Sequence, residues 1–124
     1  MEYKYFSVEE LQCQHCGADG MNADFMAKVE FLREQLGFPF VVSSAYRCPD
    51  HPIEAKKTSG PGAHSTGRAI DIAVQGEKAH QLLKKAFSMG IGGIGVNQKG
   101  SGRFIHLDDL DETDNHTRPW VWSY

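Results

Sequence analysis

The segment AIDIAV, residues 69–74, constrains the fold more than any other because it places one carboxylate, Asp71, inside an apolar run. Its isoleucines and valine predict a buried strand. An unpartnered buried carboxylate is strongly unfavourable, so Asp71 requires a hydrogen-bond network, a positive side chain or a metal ion. The fold must therefore bring a partner to the face of the strand that carries Asp71.

The remaining chain predicts short helices and strands in alternation. Ser7 and Glu10 have capping-box spacing, which predicts a helix that begins near Ser7. Apolar periodicity predicts helices over 22–37 and 76–90, a strand over 40–44 and a hairpin over 91–98 and 102–110. A long loop over 48–67 and an aromatic tail over 118–124 complete the pattern. We expect an α+β fold, with a small antiparallel sheet flanked by helices.

Composition limits the class of protein. The 124 residues fit a single domain over 1–124, and a net charge of −3 argues against a nucleic-acid surface. No segment resembles a membrane span or a signal peptide, so we expect a protein made in the cytoplasm, without membrane partners. We also expect it to be a monomer. The acidic run over 108–114 is interpreted as a solvated loop.

Three cysteines leave two alternatives open. Cys13-x-x-Cys16 and Cys48-x-x-His51 form a four-ligand pattern that can hold a second, structural zinc ion. The alternative is that the thiols are reduced and pack as small hydrophobic groups.

Two histidines stand out as candidate partners of Asp71. His64 lies in a glycine-rich loop seven residues before Asp71, and His106 lies in a strand pattern where it shares a face with Phe104 and Asp108. Two imidazoles and one carboxylate leave one coordination position open, as in catalytic zinc sites. If His64, Asp71 and His106 converge, they predict a catalytic zinc ion.

Five segments together carry a family resemblance: SSAYRCPDH (43–51), HSTGRAIDI (64–72), GGIGV (92–96), RFIHLD (103–108) and RPWVW (118–122). In this order they resemble the zinc D-alanyl-D-alanine carboxypeptidase family of murein peptidases, which includes phage endolysins and shares its fold with the hedgehog signalling domain. The resemblance extends from about Phe6 to Trp122, and YFSVEELQCQHCG is similar to the start of small phage and prophage members.

The resemblance implies zinc ligands at His64, Asp71 and His106, and an arginine at Arg47 that binds a substrate carboxylate or polarised carbonyl. A salt bridge from Arg47 to the acidic loop is the alternative. Ser44 and His51 are expected to line the substrate pocket.

Two positions depart from the family pattern. Gly62 stands where many members have serine, and Arg103 stands where many have the acidic catalytic base. Asp108 is the candidate replacement, either as the general base or as a carboxylate that orients a ligand histidine.

The leading hypothesis is a zinc-dependent peptidase that cleaves peptidoglycan stem peptides. The scissile bond is D-Ala-D-Ala, L-Ala-D-Glu or a cross-link. We expect a phage or prophage lysin that reaches the cell wall through a holin-type pore, or a component of the phage particle. The alternative is a non-catalytic zinc-containing module on the same fold, which binds the cell wall or forms part of a phage.

Overall fold

A computed structural model describes residues 3–58, 62–114 and 116–124, excluding the side chain of Asp114. Residues 59–61 of the predicted loop therefore lie outside the described residues. The helices are α1 (Val8–Leu11), α2 (Ala23–Leu36), α3 (Pro52–Ala55) and α4 (Gly76–Ser88). The strands are β1 (Val41–Ser44), β2 (Ala69–Ala73), β3 (Gly93–Asn97), β4 (Phe104–Asp108) and β5 (Trp120–Ser123). Two short 3-10 helices cover Ala63–Thr66 and Glu112–Asp114.

The strands form one five-stranded sheet in the order β1-β2-β4-β3-β5. The predicted hairpin is confirmed, because β3 and β4 pair antiparallel. β1 and β2, and β2 and β4, also pair antiparallel. The aromatic tail supplies β5, which pairs parallel with β3. The α+β class and the helix-flanked sheet are thus confirmed. The expectation of a purely antiparallel sheet is wrong, because the tail crosses back and β5 runs parallel to β3.

The two faces of the sheet have different chemistry. Ile70 and Ile72 of β2 and Ile105 and Leu107 of β4 are fully buried in the main apolar cluster. That cluster also contains the apolar faces of α2 and α4, including Phe25, Met26, Val29, Leu32, Ala79, Leu82 and Ala86. Because side chains alternate along a strand, Asp71, His106 and Asp108 project from the opposite face. Helix packing therefore stabilises one face while the other carries polar residues.

The predicted helix boundaries have identifiable caps. Ser7 and Glu10 form the expected capping box at α1, and the side chain of Asn22 accepts the backbone N–H of Phe25 at the start of α2. Gly37 ends α2 in the left-handed conformation, at φ 75°, where glycine carries no side-chain penalty.

Within the part of the chain that the structure describes, no helix has the length and apolarity needed to cross a membrane.

Candidate metal centre and active site

The sheet register brings Asp71 beside His106. Asp71 on β2 lies directly opposite His106 on β4, and both side chains are buried. The Oδ1 atom of Asp71 lies 2.9 Å from Nδ1 of His106. The antiparallel pairing of two buried strands thus places these two groups side by side.

The loop before β2 delivers the third group. His64 lies in the 3-10 helix Ala63–Thr66, which ends at Gly67 in the left-handed conformation, at φ 77°. The Nε2 atom of His64 lies 3.2 Å from Oδ1 of Asp71, and the two imidazole centroids are 5.0 Å apart. The structure therefore brings together all three predicted metal ligands.

The outer hydrogen bonds of the two histidines determine which nitrogens carry a proton. His64 Nδ1 is 2.6 Å from the carbonyl oxygen of Ala45, and His106 Nε2 is 2.7 Å from Oδ2 of Asp108. Both oxygens accept hydrogen bonds, so both outer nitrogens donate. In the neutral imidazoles the inner nitrogens therefore present lone pairs to Asp71.

This donor set fits zinc. Two imidazole nitrogens and a carboxylate oxygen converge on one buried point, an arrangement that suits a cation. The donor atoms all lie within 4.8 Å of one another. Zinc accepts this combination of ligands, and anchored outer nitrogens are typical of zinc-binding histidines.

The carboxylate of Asp108 accepts a hydrogen bond from the outer nitrogen of His106. Its side chain is completely buried, and Arg118 donates to both of its oxygens, from Nε to Oδ1 at 2.9 Å and from Nη2 to Oδ2 at 2.8 Å. Burial raises the pKa of Asp108, but Arg118 and His106 outweigh burial and hold the pKa well below its usual range. Of the two roles predicted for Asp108, these contacts favour the orientation of His106.

Asp71 and His106 perturb each other strongly. Burial raises the pKa of Asp71, but hydrogen bonds and charges from His106 and His64 together outweigh burial and hold the pKa well below its usual range. Burial lowers the pKa of His106, but Asp108 and Asp71 raise it above its ordinary value. Asp71 is therefore ionised, which is the form in which a carboxylate binds a metal ion.

A cavity of about 400 Å³ opens onto the three candidate ligands. Its described lining also contains Arg47, Ile53, Lys57, Ala63, Phe104, Trp122 and Tyr124. Arg47 Nη2 lies 3.8 Å from Oδ2 of Asp71, so a guanidinium borders the metal position. The cavity therefore combines candidate zinc ligands, two cationic side chains and an aromatic wall.

Glu54 holds both of these cations in place. Glu54 is 1% exposed, and its carboxylate accepts from Arg47 Nη1 at 3.2 Å, from Lys57 Nζ at 3.0 Å and from the backbone N–H of Gly62 at 2.7 Å. Burial raises the pKa of Glu54, but these donors lower it to about 2. Arg47 thus pairs with Glu54 and Asp71, and not with any described side chain of the acidic loop.

The sequence pattern GGIGV provides space for the site. A Cβ atom at Gly93 would collide with the carboxylate of Asp108, and one at Gly95 would lie 2.6 Å from Nε1 of Trp122. The Trp122 ring packs on His106 with centroids 5.0 Å apart. Both glycines are therefore needed for the close packing around His106.

The other predicted site residues lie around the cavity rather than in its described lining. Ser44 accepts a hydrogen bond from Arg47 Nε at 3.1 Å, and His51 caps α3 by accepting the N–H of Ile53. Their substrate-binding roles remain predictions. Arg103 donates to the carbonyl of Gly100 and lines a different cavity, beside Gln75 and Ser101.

The sequence interpretation did not identify Arg118, Glu54, Trp122 or Tyr124 as site residues. The segment RPWVW contained a signal for two of them, Arg118 and Trp122. Glu54 has no recognisable motif, because its partners are brought together only by the loop fold.

The three cysteines form a second cluster. The sulfur atoms of Cys13, Cys16 and Cys48 lie within 4.8 Å of one another, and His51 does not belong to this group. All three thiols are free. Burial raises the pKa of Cys13, but backbone N–H donors from Cys48, Cys16 and His15 lower it to about 6. Of the predicted four-residue pattern, the structure therefore brings together the three sulfur atoms, whereas the ring of His51 caps α3.

Comparison with known proteins gives one match. A family model described as Peptidase M15 matches residues 4–108, which include all three candidate ligands and Asp108. Searches of curated proteins and of solved structures gave no match.

Proposed function

The chain belongs to the peptidase M15 family, and on this premise we propose that it is a zinc metallopeptidase that hydrolyses peptide bonds in peptidoglycan stem peptides. One observation carries the proposal: His64 Nε2, Asp71 Oδ1 and His106 Nδ1 converge at the floor of a cavity that Arg47 also lines. His64, Asp71 and His106 would hold the zinc ion. When bound, zinc supplies a Lewis acid that activates water and polarises the peptide carbonyl.

Arg47 is the proposed substrate anchor. Ser44 and Glu54 fix its guanidinium, whose planar fork suits a terminal carboxylate or a polarised carbonyl oxygen. Lys57 adds a second positive charge to the same wall. This charge supports a substrate that carries carboxylates, as peptidoglycan stem peptides do.

The exact bond defines three versions of the proposal. Cleavage of the terminal D-Ala-D-Ala bond would make the protein a carboxypeptidase, with Arg47 on the free carboxylate. Cleavage of an L-Ala-D-Glu bond or of a cross-link would make it an endolysin-type endopeptidase, with Arg47 on a carbonyl or an internal carboxylate.

Tyr124 is the proposed second contact to substrate. Its ring lines the cavity beside Trp122, and its hydroxyl can donate a hydrogen bond to substrate there. Burial raises the pKa of Tyr124, and the phenol is therefore neutral at physiological pH.

Asp108 is proposed to orient His106 rather than to accept the proton of the attacking water. Arg118 and His106 already use both of its oxygens. Within residues 3–58, 62–114 and 116–124, the cavity lining contains no carboxylate besides Asp71. In this proposal Arg118 and Asp108 act together to keep Nδ1 of His106 directed at the zinc position.

The biological setting is also a proposal. The resemblance of the N-terminal segment to small phage and prophage members supports a lysin that is released through a holin-type pore, or a component of the phage particle. The partner is the stem peptide, and the protein acts on the cell wall as a monomer without nucleic-acid or membrane partners.

A second candidate is a zinc-containing wall-binding or phage structural module without activity. Arg103 favours it, because this residue occupies the position of the usual acidic base and its side chain lies outside the cavity.

Mass spectrometry of peptidoglycan fragments distinguishes the two candidates. Zinc-loaded protein is incubated with purified muropeptides beside a chelated sample and a His64→Ala variant. His80→Ala is the matched control, because His80 is exposed on α4. New peptide products that form only with the zinc-loaded wild type and with His80→Ala would support the peptidase. Their masses would identify the bond. Intact fragments with zinc bound would support the module.

A further inference from the structure

Cys13, Cys16 and Cys48 lie outside the proposed active site, and the peptidase reaction does not use them. Cys13 and Cys16 belong to the turn that follows α1, and Cys48 follows Arg47 in the loop after β1. Two segments far apart in sequence thus meet at three sulfur atoms. Cys13 and Cys48 are buried, whereas Cys16 is exposed.

The turn that carries Cys13 and Cys16 is tightly closed. The N–H of Gly17 donates to the carbonyl of Cys13 at 2.8 Å, and Gly17 has φ 76°, a conformation that favours glycine. The N–H of Cys48 donates to Sγ of Cys13 at 3.3 Å. Backbone N–H groups directed at a sulfur stabilise its thiolate, the form that binds metals.

We propose that Cys13, Cys16 and Cys48 bind a zinc ion through their three sulfur atoms. A tetrahedral zinc ion with bonds of about 2.3 Å to sulfur separates its ligand sulfurs by about 3.8 Å. The observed cluster, with all sulfurs within 4.8 Å, requires only a small contraction to reach that spacing.

The fourth coordination position belongs to solvent. His51 accepts the N–H of Ile53 at its Nδ1 atom, so the proton of its neutral ring lies on Nε2 and neither nitrogen has a free lone pair for a metal. Because Cys16 is the exposed member, the cluster opens to solvent on its side. A water molecule completes the tetrahedron there.

This ion would fix the loop that presents Arg47. Cys48 is the next residue after Arg47, and the N–H of Arg47 donates to the carbonyl of His64 at 3.2 Å. The zinc ion therefore joins the turn after α1 to a loop that borders the cavity. It is independent of the proposed catalytic metal.

The test measures zinc content and zinc–sulfur scattering in protein reconstituted with zinc under reducing conditions. We expect two zinc ions per chain in the wild type. His64→Ala should retain one ion with sulfur neighbours at about 2.3 Å. Cys16→Ser should retain one ion with only nitrogen and oxygen neighbours. Because Cys16 is exposed, its replacement leaves the core intact.

His51→Ala is the control, and it should keep both ions. A wild type without zinc–sulfur scattering would overturn the proposal, as would a Cys16→Ser variant with undiminished sulfur scattering. Loss of the sulfur-bound ion in His51→Ala would overturn the three-sulfur assignment. A single, wholly sulfur-bound zinc ion in the wild type would support this site and contradict the catalytic one, so the two proposals fail separately.

Discussion

At the scale of single residues, Asp108 accepts hydrogen bonds from His106 and Arg118 and has no exposed surface. A carboxylate in this position has two candidate roles with different signatures. A general base would contribute to the chemical step, whereas an orienting group would contribute to the affinity for metal.

Asp108→Asn should separate these roles. We expect zinc affinity to fall by about 10- to 100-fold, because the amide cannot satisfy both His106 and Arg118. At saturating zinc, kcat should stay within about 10-fold of the wild type, since the loss of a general base costs about 100-fold or more. Zinc titration followed by steady-state kinetics gives both values. Unchanged affinity with a collapsed kcat would identify Asp108 as the base.

Arg47→Lys should report on the substrate. Lysine keeps the charge but loses the fork, so kcat/KM should fall by about 10- to 100-fold on a peptide with a free terminal carboxylate. On the C-terminal amide of the same peptide, kcat/KM should fall much less. Arg103→Lys is the control, because Arg103 lies outside the cavity lining. Equal losses on both peptides would show that Arg47 does not bind the terminal carboxylate.

At the scale of elements, the edge of the sheet supplies the aromatic wall. β5 pairs parallel with β3 and places Trp122 opposite Gly95, which is itself opposite His106. The indole ring can reach His106 only because Gly95 has no side chain. The spacing of strands and glycines thus sets the shape of the cavity.

Gly95→Ala should therefore reduce activity. The new Cβ atom would lie 2.6 Å from the Trp122 indole and 2.9 Å from the Tyr124 hydroxyl, so both rings must move. We expect a loss in kcat/KM of about 10- to 100-fold, because displacements near 1 Å have effects of this size. Gly92→Ala is the matched control, since its nearest contacts are at 3.6 Å. A Gly95→Ala variant as active as the control would show that the wall does not position substrate.

At the scale of the whole molecule, buried carboxylates set the response to acid. The folded-state pKa of Glu54 is about 2, below the usual value near 4.5. Glu54 therefore stabilises the fold above pH 4.5, and this contribution is lost as the pH falls from about 4.5 towards 2.

Glu54→Gln should lower the free energy of unfolding at neutral pH by up to about 3 kcal/mol. The difference from the wild type should shrink as the pH falls through this range. Denaturant unfolding at several pH values between neutral and about 2 measures this difference in the free energy of unfolding. Glu77→Gln is the control, because Glu77 is exposed on α4. A constant difference at all pH values would contradict the account.

The sequence predicts the parts of this molecule that depend on local patterns. Asp71 and His106 lie in buried strands with clear alternation, and the caps at Ser7 and Asn22 are local signals. The parallel pairing of β5 and the ion pair of Arg118 with Asp108 were not predictable, because both depend on how the tail crosses back to β3. The role of Glu54 was not predictable either, because its partners lie on a loop without periodicity.

The anomalous difference map of a zinc-soaked crystal, recorded at the zinc absorption edge, tests the central claim most directly. The account predicts a peak about 2.0–2.2 Å from Nε2 of His64, Oδ1 of Asp71 and Nδ1 of His106. A map with no peak among these three atoms would contradict it, even if zinc were bound at the cysteines.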